Sequence, residues 1–347
     1  MVNYQHNANL QAFNTLAIPA TAHCLVSVNS IDALEQALQK KAKQYKTILV
    51  IGSGSNIVLP DTFDGLVIHM AMQGRTVEQE TKDSVTLSLA AGENWHDAVM
   101  WAAKNSWYGI ENLALIPGTV GAAPIQNIGA YGVELKECFL YLEAMNIETG
   151  ELKKFTHKDC EFGYRESIFK QALKNQWVIT RVVLKLSKLP ILHLDYPPLE
   201  KALESIAQDK LTPLKIAEAI IAIRQSKLPD PSVLPNAGSF FKNPIITNEK
   251  FQTLHKDYPM IAAYPVGESH TKIAAGWLLE QDGWKGRLIG GVGMHKQQAL
   301  VLTNPNQLPA KNILDFTSLI KISIFEKFSI ALEIEPTIVG SYSSPIQ

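Results

Sequence analysis

One stretch of the chain, residues 116–132, combines many turn-forming residues with a complete absence of charge. Its sequence, IPGTVGAAPIQNIGAYG, holds four glycines and two prolines but no Asp, Glu, Lys, Arg or His. Glycine permits positive φ angles and lets backbone approach a partner closely, so such a loop favours backbone N–H groups that face a bound anionic group. The same composition is also typical of a buried, tightly turning connection between core elements. The residues alone leave both interpretations open.

Composition restricts the class of protein. The chain has 347 residues, enough for two or three domains, with 46% hydrophobic and 19% charged residues, as in ordinary globular proteins. A formal net charge of -1 gives no general attraction to nucleic acid or to an anionic membrane. Three scattered cysteines favour free thiols in a reducing compartment. No signal sequence or apolar run of membrane-spanning length is found, so we expect a cytoplasmic protein.

Hydrophobic periodicity predicts a chain in which strands and helices are mixed, without internal repeats. Helices are predicted at 32–43, 95–104, 214–226 and 271–281. Strands are predicted at 23–28, 46–51, 57–60, 66–70, 85–90, 141–147 and 177–186, with a glycine-rich strand region at 289–302 and strand character at 328–339.

A second glycine-rich loop, Gly52-Ser53-Gly54-Ser55-Asn56, follows the predicted buried strand at 46–51. The dinucleotide-binding fingerprint requires a further glycine at position 57 and then a helix. Position 57 is isoleucine, and the residues after it favour another strand. The loop is therefore either a phosphate cradle made of consecutive backbone N–H groups or a plain hairpin turn.

Residues 237–244, AGSFFKNP, place a hydroxyl, two aromatic rings, a cation and an amide between a glycine and a proline. Such density suits a pocket wall that orients one polar group against apolar surface. Ser239 has no GxSxG context, which argues against an acyl-transfer nucleophile. It is either a proton donor or a structural turn serine.

The charged residues admit two interpretations each. Arg165 either acts in a site or pairs with Glu166 at the surface. Glu335 and Glu333 share one strand face, and either is a candidate proton donor if partly buried. Four basic residues either converge on a diphosphate or solvate separate helix faces: Arg224, Lys227, Lys272 and Lys285. His69, His96, His270 and His295 lack metal-ligand spacing, so we expect no metal site.

Several of these stretches, in this order along the chain, resemble the UDP-N-acetylenolpyruvoylglucosamine reductase family. They are GSGSN at 52–56, NLALIPG at 112–118 running into IQNIGAYG at 125–132, YRES at 164–167 and GSFFKNP at 238–244. The resemblance covers about residues 14–340, and the string at 112–132 is the most specific part of it.

The resemblance implies an α+β chain with a two-domain FAD-binding module of the vanillyl-alcohol-oxidase/PCMH type and a third α+β domain that binds the substrate. The expected FAD-binding subdomains are 1–72 and 73–212, the UDP-sugar domain is 213–329, and 330–347 returns to the FAD-binding part. It also implies the longer subtype of the family, in which a tyrosine-bearing loop covers the substrate.

The family's pattern assigns roles to matching residues. Arg165, Ser239 and Glu335 match its catalytic residues, with Ser239 as proton donor. The expected FAD contacts are Gly52, Ser53, Gly54, Ser55, Asn56, Pro117, Gly118, Thr119, Gly121, Ala122, Gln126, Asn127, Gly129, Ala130 and Tyr131. The expected substrate contacts are Tyr196, Arg224, Lys227, Asn243, Lys285 and Gln298. Pro336 departs from the pattern, since a small β-branched residue usually follows the glutamate, and it puts the local strand pairing in doubt.

The resulting hypothesis is an NADPH-dependent flavoenzyme of peptidoglycan precursor synthesis. It would reduce UDP-N-acetylglucosamine enolpyruvate to UDP-N-acetylmuramate, by hydride transfer from reduced FAD and protonation by the serine, and would act as a monomer. Two alternatives remain: another oxidoreductase of the same flavin fold, and a non-catalytic protein that binds flavin or a nucleotide sugar.

Overall fold

A computed structural model describes residues 2–41 and 44–340. The helices are α1 Ile31–Gln36, α2 Trp95–Lys104, α3 Pro197–Leu203, α4 Pro213–Lys227, α5 Asn248–Asp257, α6 Ala275–Gln281 and α7 Ala310–Phe328. The strands are β1 Tyr4–Asn9, β2 Thr21–Val28, β3 Ile48–Ile51, β4 Ile57–Val58, β5 Thr62–Met70, β6 Arg75–Glu80, β7 Ser84–Ala90, β8 Gly129–Ala130, β9 Val133–Glu134, β10 Phe139–Asn146, β11 Leu152–Thr156, β12 Trp177–Ser187, β13 Asn236–Ser239, β14 Ile245–Thr247, β15 Ala263–Val266, β16 His270–Ile273, β17 Leu288–Ile289, β18 Val292–Met294, β19 Val301–Thr303 and β20 Thr337–Ile338.

The chain divides into two compact units. The first unit consists of 1–8, 22–53 and 64–226, and the second of 9–21, 54–63 and 227–347. Two short N-terminal pieces therefore belong with the C-terminal third of the chain.

The first unit contains two larger sheets and the short two-stranded sheet β8-β9. A five-stranded antiparallel sheet has the order β11-β10-β12-β7-β6, and a four-stranded sheet has the order β1-β2-β5-β3, with β3 and β5 parallel. Helix α2 begins where the Asn94 side chain accepts from the Asp97 N–H, and it buries Trp95, Ala98, Val99 and Ala102 on one face. This face packs in the same hydrophobic cluster as the inner residues of β7 and β12, so the segment after α2 lies against a rigid support.

The second unit is built from smaller sheets, helices α5 and α6, and the 19-residue helix α7. One sheet has the order β13-β19-β18-β17 and another β14-β16-β15, while β20 pairs in parallel with β4. Helix α7 buries Ile313, Phe316, Ile320 and Ile324, whose spacing of three or four residues forms one apolar face. The two adjacent rings of Phe240 and Phe241 are fully buried directly after β13.

Most predicted elements are present within a few residues of the expected bounds. Helix 95–104 is correct as predicted, and so are the strand positions of β2, β3, β5, β7, β10 and β12. The predicted helix 32–43 is α1 followed by a wider helical turn over Ala37–Lys41, and its last two residues lie outside the described ranges.

One prediction is wrong, and a second is correct only in part. The helix predicted at 271–281 begins only at Ala275, because Thr271 and Ile273 alternate with Lys272 as inner residues of β16, which pairs on both sides. The strand character predicted at 328–339 is limited to β20 and one bridge at Ile334, since Phe328 ends helix α7. The sequence predictions contain no element over 310–328, where the longest helix lies.

The three cysteines, Cys24, Cys138 and Cys160, are free and buried. Within residues 2–41 and 44–340, no helix combines the length and the apolar character needed to cross a bilayer.

Candidate active site

The uncharged loop at 116–132 lies in the first unit, and close packing fixes part of its path. Asn127 and Tyr131 adopt positive φ angles of 42° and 51°. Gly121 is buried, and its N–H donates to the Ala91 carbonyl over 2.8 Å. A β-carbon at Gly121 would lie 2.6 Å from the Ala91 β-carbon, so only glycine fits without movement. Part of the glycine content is therefore structural.

The start of the same loop leaves backbone donors open. A β-carbon at Gly52 would lie 2.2 Å from the Thr119 hydroxyl oxygen, so the two glycine-rich loops meet in the first unit. Among the described residues, no acceptor is found for the backbone N–H groups of Ser53, Gly118 and Thr119. Several N–H groups without protein acceptors form a donor surface that suits a phosphate. These residues therefore fit the diphosphate of an FAD cofactor.

The second half of the GSGSN loop lies in the second unit. Gly54 has a φ of 61°, and a β-carbon there would lie 2.0 Å from the Phe13 carbonyl oxygen. Strand β4 begins at Ile57, so the segment after the loop is extended. The sequence argument against a Rossmann fingerprint is thus confirmed.

The carbonyl groups of the 116–132 loop are held by side chains from elsewhere in the first unit. Ser167 Oγ donates to the Ile125 oxygen over 2.6 Å, Arg165 Nη2 to the Gly129 oxygen over 2.7 Å, and Asn112 Nδ2 to the Tyr131 oxygen over 2.9 Å. Two of these three donors come from the YRES motif. The loop and this motif therefore form one hydrogen-bonded body that orients the Arg165 guanidinium.

Asn127 completes this connection. Its side chain is fully buried, and Nδ2 donates to Glu134 Oε2 over 3.1 Å and to the Gly163 oxygen over 3.0 Å. Its Oδ1 accepts from the Lys136 N–H over 3.0 Å. Because both amide donors are used within the protein, the side chain of Asn127 shapes the loop. Any contact of Asn127 with a cofactor would come from its backbone.

A histidine fixes the entry to the loop. His96 Nδ1 accepts from the Leu115 N–H over 3.0 Å, and Leu115 has a positive φ of 58° that a leucine rarely adopts. Burial lowers the pKa of His96, while the neighbouring Asp97 opposes this shift and Arg224 reinforces it. The neutral imidazole is the form that can accept from Leu115, so the lowered pKa preserves this bond.

Tyr196 and Arg224 of the first unit lie near Tyr131, at the end of the loop. The rings of Tyr131 and Tyr196 meet edge to face with centroids 4.9 Å apart, and the Arg224 guanidinium lies 6.0 Å from the Tyr131 ring centroid. Burial lowers the pKa of Arg224, and the Tyr131 hydroxyl opposes that shift. Among the described residues, no hydrogen-bond partner is found for Arg224 Nε. A half-buried cation with open hydrogen-bonding capacity is suited to an anionic ligand.

Ser239 lies in the second unit, on a bulge at the end of β13. Asn236 faces Thr303 and Ser239 faces Val301, so β13 has one residue more than β19 between these pairs. Gly238 takes the positive φ of 66° that the bulge needs, and its N–H donates to Asn236 Oδ1. The bulge presents Ser239 as an exposed side chain, and no hydrogen bond joins its hydroxyl to another described residue. A nucleophilic serine would need an adjacent base.

The two candidate carboxylates of the second unit have different surroundings. Glu333 forms an ion pair with Lys242, and its side chain is 70% exposed. Glu335 is half-buried, and its N–H donates to the Phe240 carbonyl over 2.9 Å. This backbone bond ties Glu335 to the residue next to Ser239. The structure therefore shows that Glu333 and Glu335, which the sequence could not distinguish, differ in burial and in partners.

Pro336 lies where the backbone changes partners. Before it, Glu335 pairs with Phe240, and after it the Thr337 N–H donates to the Asn56 oxygen and the Val339 N–H to the Val58 oxygen. The missing proline N–H falls between these two pairings, so it breaks neither of them.

The other expected substrate contacts of the second unit are more dispersed. Asn243 Oδ1 accepts from the Ala275 N–H over 2.9 Å and so caps α6, which has no capping side chain of its own. Lys285 pairs with Glu280 over 2.7 Å. The backbone carbonyl of Gln298 accepts from the Val301 N–H. Lys227 is the last residue of α4.

The predicted site residues therefore fall into two groups. The first unit holds Arg165, Tyr196, Arg224, Gly52, Ser53 and all the expected contacts between Pro117 and Tyr131. The second unit holds Ser239, Glu335, Gly54, Ser55, Asn56, Lys227, Asn243, Lys285 and Gln298.

Sequence reasoning missed the supporting side chains. The sequence gives no specific role to His96, which is one of four scattered histidines, or to Asn112, which lies within the NLALIPG motif. Both are polar residues beside an apolar stretch that leads into the uncharged loop. This position is the feature of the sequence that could have indicated a supporting role. Glu111, with 2% exposure, was not considered, although a carboxylate in the string IENLALIP is unusual in a buried turn.

Comparison with known proteins gives the class first. Residues 22–156 match the family model of an FAD binding domain. The chain is therefore a flavoprotein whose cofactor is FAD, and its fold of mixed helices and strands is of the FAD-binding type that the sequence predicted.

The particular family follows from longer matches. Residues 230–339 match the C-terminal domain of UDP-N-acetylenolpyruvoylglucosamine reductase. The reductase of that name from Flavobacterium johnsoniae is 44% identical over 96% of this chain and 99% of its own length, and that from Pseudomonas putida is 43% identical over 97% and 99%. This chain belongs to the UDP-N-acetylenolpyruvoylglucosamine reductase family and is an FAD-dependent oxidoreductase.

A solved structure supports the fold. The crystal structure of UDP-N-acetylenolpyruvylglucosamine reductase from Thermus caldophilus has a TM-score of 0.68 with this chain, covering 97% of it and 98% of the other chain at 22% identity. The predicted family, fold class and cofactor are thus confirmed.

Proposed function

We propose that this chain reduces UDP-N-acetylglucosamine enolpyruvate to UDP-N-acetylmuramate, with NADPH as the electron donor, in peptidoglycan precursor synthesis. The observation that carries the proposal is the match, over nearly the whole chain, to relatives named as the reductase of this enolpyruvyl sugar. Each residue proposed for binding or chemistry lies within the span of that match.

FAD, when bound, supplies hydride exchange between NADPH and the methylene carbon of the substrate. The open N–H groups of Ser53, Gly118 and Thr119 would hold its diphosphate, and Gly52 allows the two loops to approach. The uncharged loop suits this role because backbone dipoles neutralise the phosphates without lysines.

Arg165 and Glu335 would stabilise the charge that develops on the substrate. Reduction at the methylene carbon places negative charge on the carbon that bears the carboxylate, which gives an enolate-like species. A fixed guanidinium and a carboxyl proton directed at that group lower the barrier, and such electrostatic contributions are often the largest in catalysis. The bond from Arg165 to the Gly129 oxygen fixes the guanidinium before the substrate arrives.

Ser239 would deliver the proton to the charged carbon. Its hydroxyl is exposed on a bulge and makes no hydrogen bond to other described residues, so its proton is free to turn toward a ligand. Exposure also allows the serine to recover a proton from solvent after each turnover.

Cations and polar side chains would hold the nucleotide sugar. Arg224 is half-buried, with a buried Nε that has no hydrogen-bond partner among the described residues, and Lys227 and Lys285 add charge for the diphosphate. Tyr196, Asn243 and Gln298 would contact the sugar and the nucleotide.

The decisive experiment replaces the proton donor by the variant Ser239→Ala. We expect NADPH to bleach the bound flavin at the wild-type rate under anaerobic stopped-flow conditions, since this half-reaction needs no protonated carbon. Steady-state turnover with the enolpyruvyl sugar should fall by about 100- to 10000-fold, the usual contribution of general acid catalysis.

The matched control is Ser232→Ala, which removes an exposed hydroxyl of the same unit whose hydrogen-bond partner among the described residues is Asp230. It should leave both half-reactions unchanged. Turnover of Ser239→Ala within threefold of wild type would remove Ser239 from the mechanism, and a wild-type protein that oxidises NADPH no faster with the enolpyruvyl sugar would refute the whole function.

A further inference from the structure

The segment that carries Tyr196 lacks regular structure of its own. It runs from the end of β12 at Ser187 to the start of α3 at Pro197. Leu189 and Ile191 expose 53% and 48% of their surface, while Leu192 and Leu194 pack against the hydrophobic core of the first unit. Contacts with other parts of the unit must therefore fix the position of this segment.

Asn112 supplies one such contact from a buried position. It is 1% exposed, and its Nδ2 donates to the Tyr131 oxygen and to the His193 oxygen, each over 2.9 Å. An amide nitrogen has two N–H donors in one plane, so one side chain can bridge two separate carbonyl groups. The bridge joins the uncharged loop to the segment that ends at Tyr196.

The turn below Asn112 is rigid. Glu111 Oε2 accepts from the Gly109 N–H over 2.6 Å, and the Leu113 oxygen accepts from the Trp95 indole over 3.0 Å. Both neighbours of Asn112 are therefore fixed, one by a local bond and the other by helix α2. Asn112 therefore holds a fixed position, from which it binds the uncharged loop and the Tyr196 segment.

The two bridged loops also meet through their aromatic rings. Tyr131 and Tyr196 pack edge to face at 4.9 Å, a geometry that depends on the relative position of their backbones. This ring contact and the Asn112 bridge both join the Tyr196 segment to the loop.

We infer that Asn112 is a positioning residue that registers the Tyr196 segment on the uncharged loop and thereby preorganises Tyr196 for the substrate. The substrate part of this inference rests on the proposed function, in which Tyr196 contacts the nucleotide sugar. The bridge itself does not depend on that function.

The test compares Asn112→Ala with wild type as FAD-loaded enzymes. Amide hydrogen exchange should become about tenfold faster over 189–196, since a tenfold change corresponds to about 1.4 kcal/mol and a lost hydrogen bond contributes roughly that much. The KM for the enolpyruvyl UDP-sugar should rise about tenfold for the same reason, with the rate of flavin bleaching by NADPH unchanged. In a Tyr196→Ala background, the same substitution should change KM less than about twofold, because contacting residues are not additive.

Two further variants keep the test sharp. Elsewhere in the same unit, the side-chain amide of Asn105 donates to the backbone carbonyl of Trp101. Asn105→Ala removes this amide and should change neither the exchange rates over 189–196 nor KM. Asn112→Ser keeps one donor and serves if the alanine variant does not fold; its exchange rates should lie between wild type and those expected of the alanine variant.

The outcomes separate the two claims. Wild-type exchange over 189–196 in Asn112→Ser or in a folded Asn112→Ala would overturn the bridge, whatever the reaction. Faster exchange with an unchanged KM would keep the bridge and reject the role of Tyr196 in substrate binding, which belongs to the proposed function.

Discussion

The uncharged loop of the first unit and the strand pair around Ser239 in the second unit hold their functional groups in opposite ways. The loop carries no charge of its own and is fixed by side chains that bind its carbonyl oxygens, those of Ser167, Asn112 and Arg165, while its first N–H groups remain open. The strand pair is fixed by backbone bonds between 240–242 and 333–335, and its charged side chains stand at the surface or half-buried.

This difference predicts which changes each region tolerates. A site made of backbone depends on close approach, so an added methyl group is harmful and a removed charge matters little. A site made of side chains depends on the identity of one carboxylate or hydroxyl, and its neighbours can be replaced. The predictions below test that contrast, beginning with the largest expected effect.

The first prediction concerns the strand pair and its two carboxylates. Glu335→Gln should lower kcat by about 100- to 1000-fold, the usual cost of removing one group that stabilises developing charge. Glu333→Gln should change kcat less than about threefold, because an exposed ion pair contributes about 0–1 kcal/mol. Steady-state kinetics with the enolpyruvyl sugar measures both.

The two variants are each other's control, since they make the same change two residues apart. Equal losses in both would mean that the Lys242 ion pair, and not the half-buried carboxylate, organises the strand pair. A larger loss in Glu333→Gln would reverse the assignment of Glu335.

The second prediction concerns the loop. Gly121→Ala places a methyl group against Ala91, and overpacking of this kind costs about 1–3 kcal/mol. Because the methyl group pushes on the loop that carries the open N–H groups, we expect FAD to dissociate more readily. Flavin released per mole of protein on dilution, measured by fluorescence, reports the effect.

Gly150→Ala separates loop displacement from general destabilisation. Gly150 has a positive φ of 73° in the turn between β10 and β11, with no atom within 4 Å of the added carbon. Strain at that φ costs about 1–2 kcal/mol, yet FAD should stay bound. If both variants lose flavin equally, the loop is not the cofactor support.

The contrast also explains what the sequence predicts well. The motifs at 52–56 and 116–132 identify their loops because close packing leaves no room for a β-carbon at some of their glycines, as the contacts of Gly52 with Thr119 and of Gly121 with Ala91 demonstrate. The sequence could not distinguish Glu333 from Glu335, since alternation assigns both to one face, whereas the structure gives them different burial and pairs Glu333 with Lys242. Residue patterns specify local geometry but not the partners that tertiary structure brings.

The same limit explains the errors in secondary structure. Thr271 to Ile273 fits a helical pattern when taken with α6, but pairing with β14 and β15 on both sides makes it a central strand. The bridging role of Asn112 was equally invisible, because its acceptors lie 19 and 81 residues away in the chain.

The smallest predicted effect concerns the buried acid below the Asn112 turn. Burial raises the pKa of Glu111 above its ordinary value of 4.5, against the opposing effect of backbone N–H groups. Between pH 4.5 and that raised pKa, the folded chain keeps a proton that the unfolded chain has released. Glu111 therefore contributes its full stability below that range and loses it as pH rises through the folded pKa, with a slope of at most about 1.4 kcal/mol per pH unit.

Glu111→Gln keeps an oxygen for the Gly109 N–H but has no titrating proton. The free energy of unfolding of this variant, measured by urea titration at several pH values, should increase relative to that of wild type as pH rises through this window. Asp159→Asn is the control, because Asp159 is exposed and hydrogen bonds with Thr156 lower its pKa, so its contribution is lost as pH falls instead. A wild-type curve parallel to that of Glu111→Gln would mean that Glu111 stays ionised in the fold. The first unit would then tolerate a buried charge next to Asn112, contrary to the contrast between an uncharged loop and a charged strand pair.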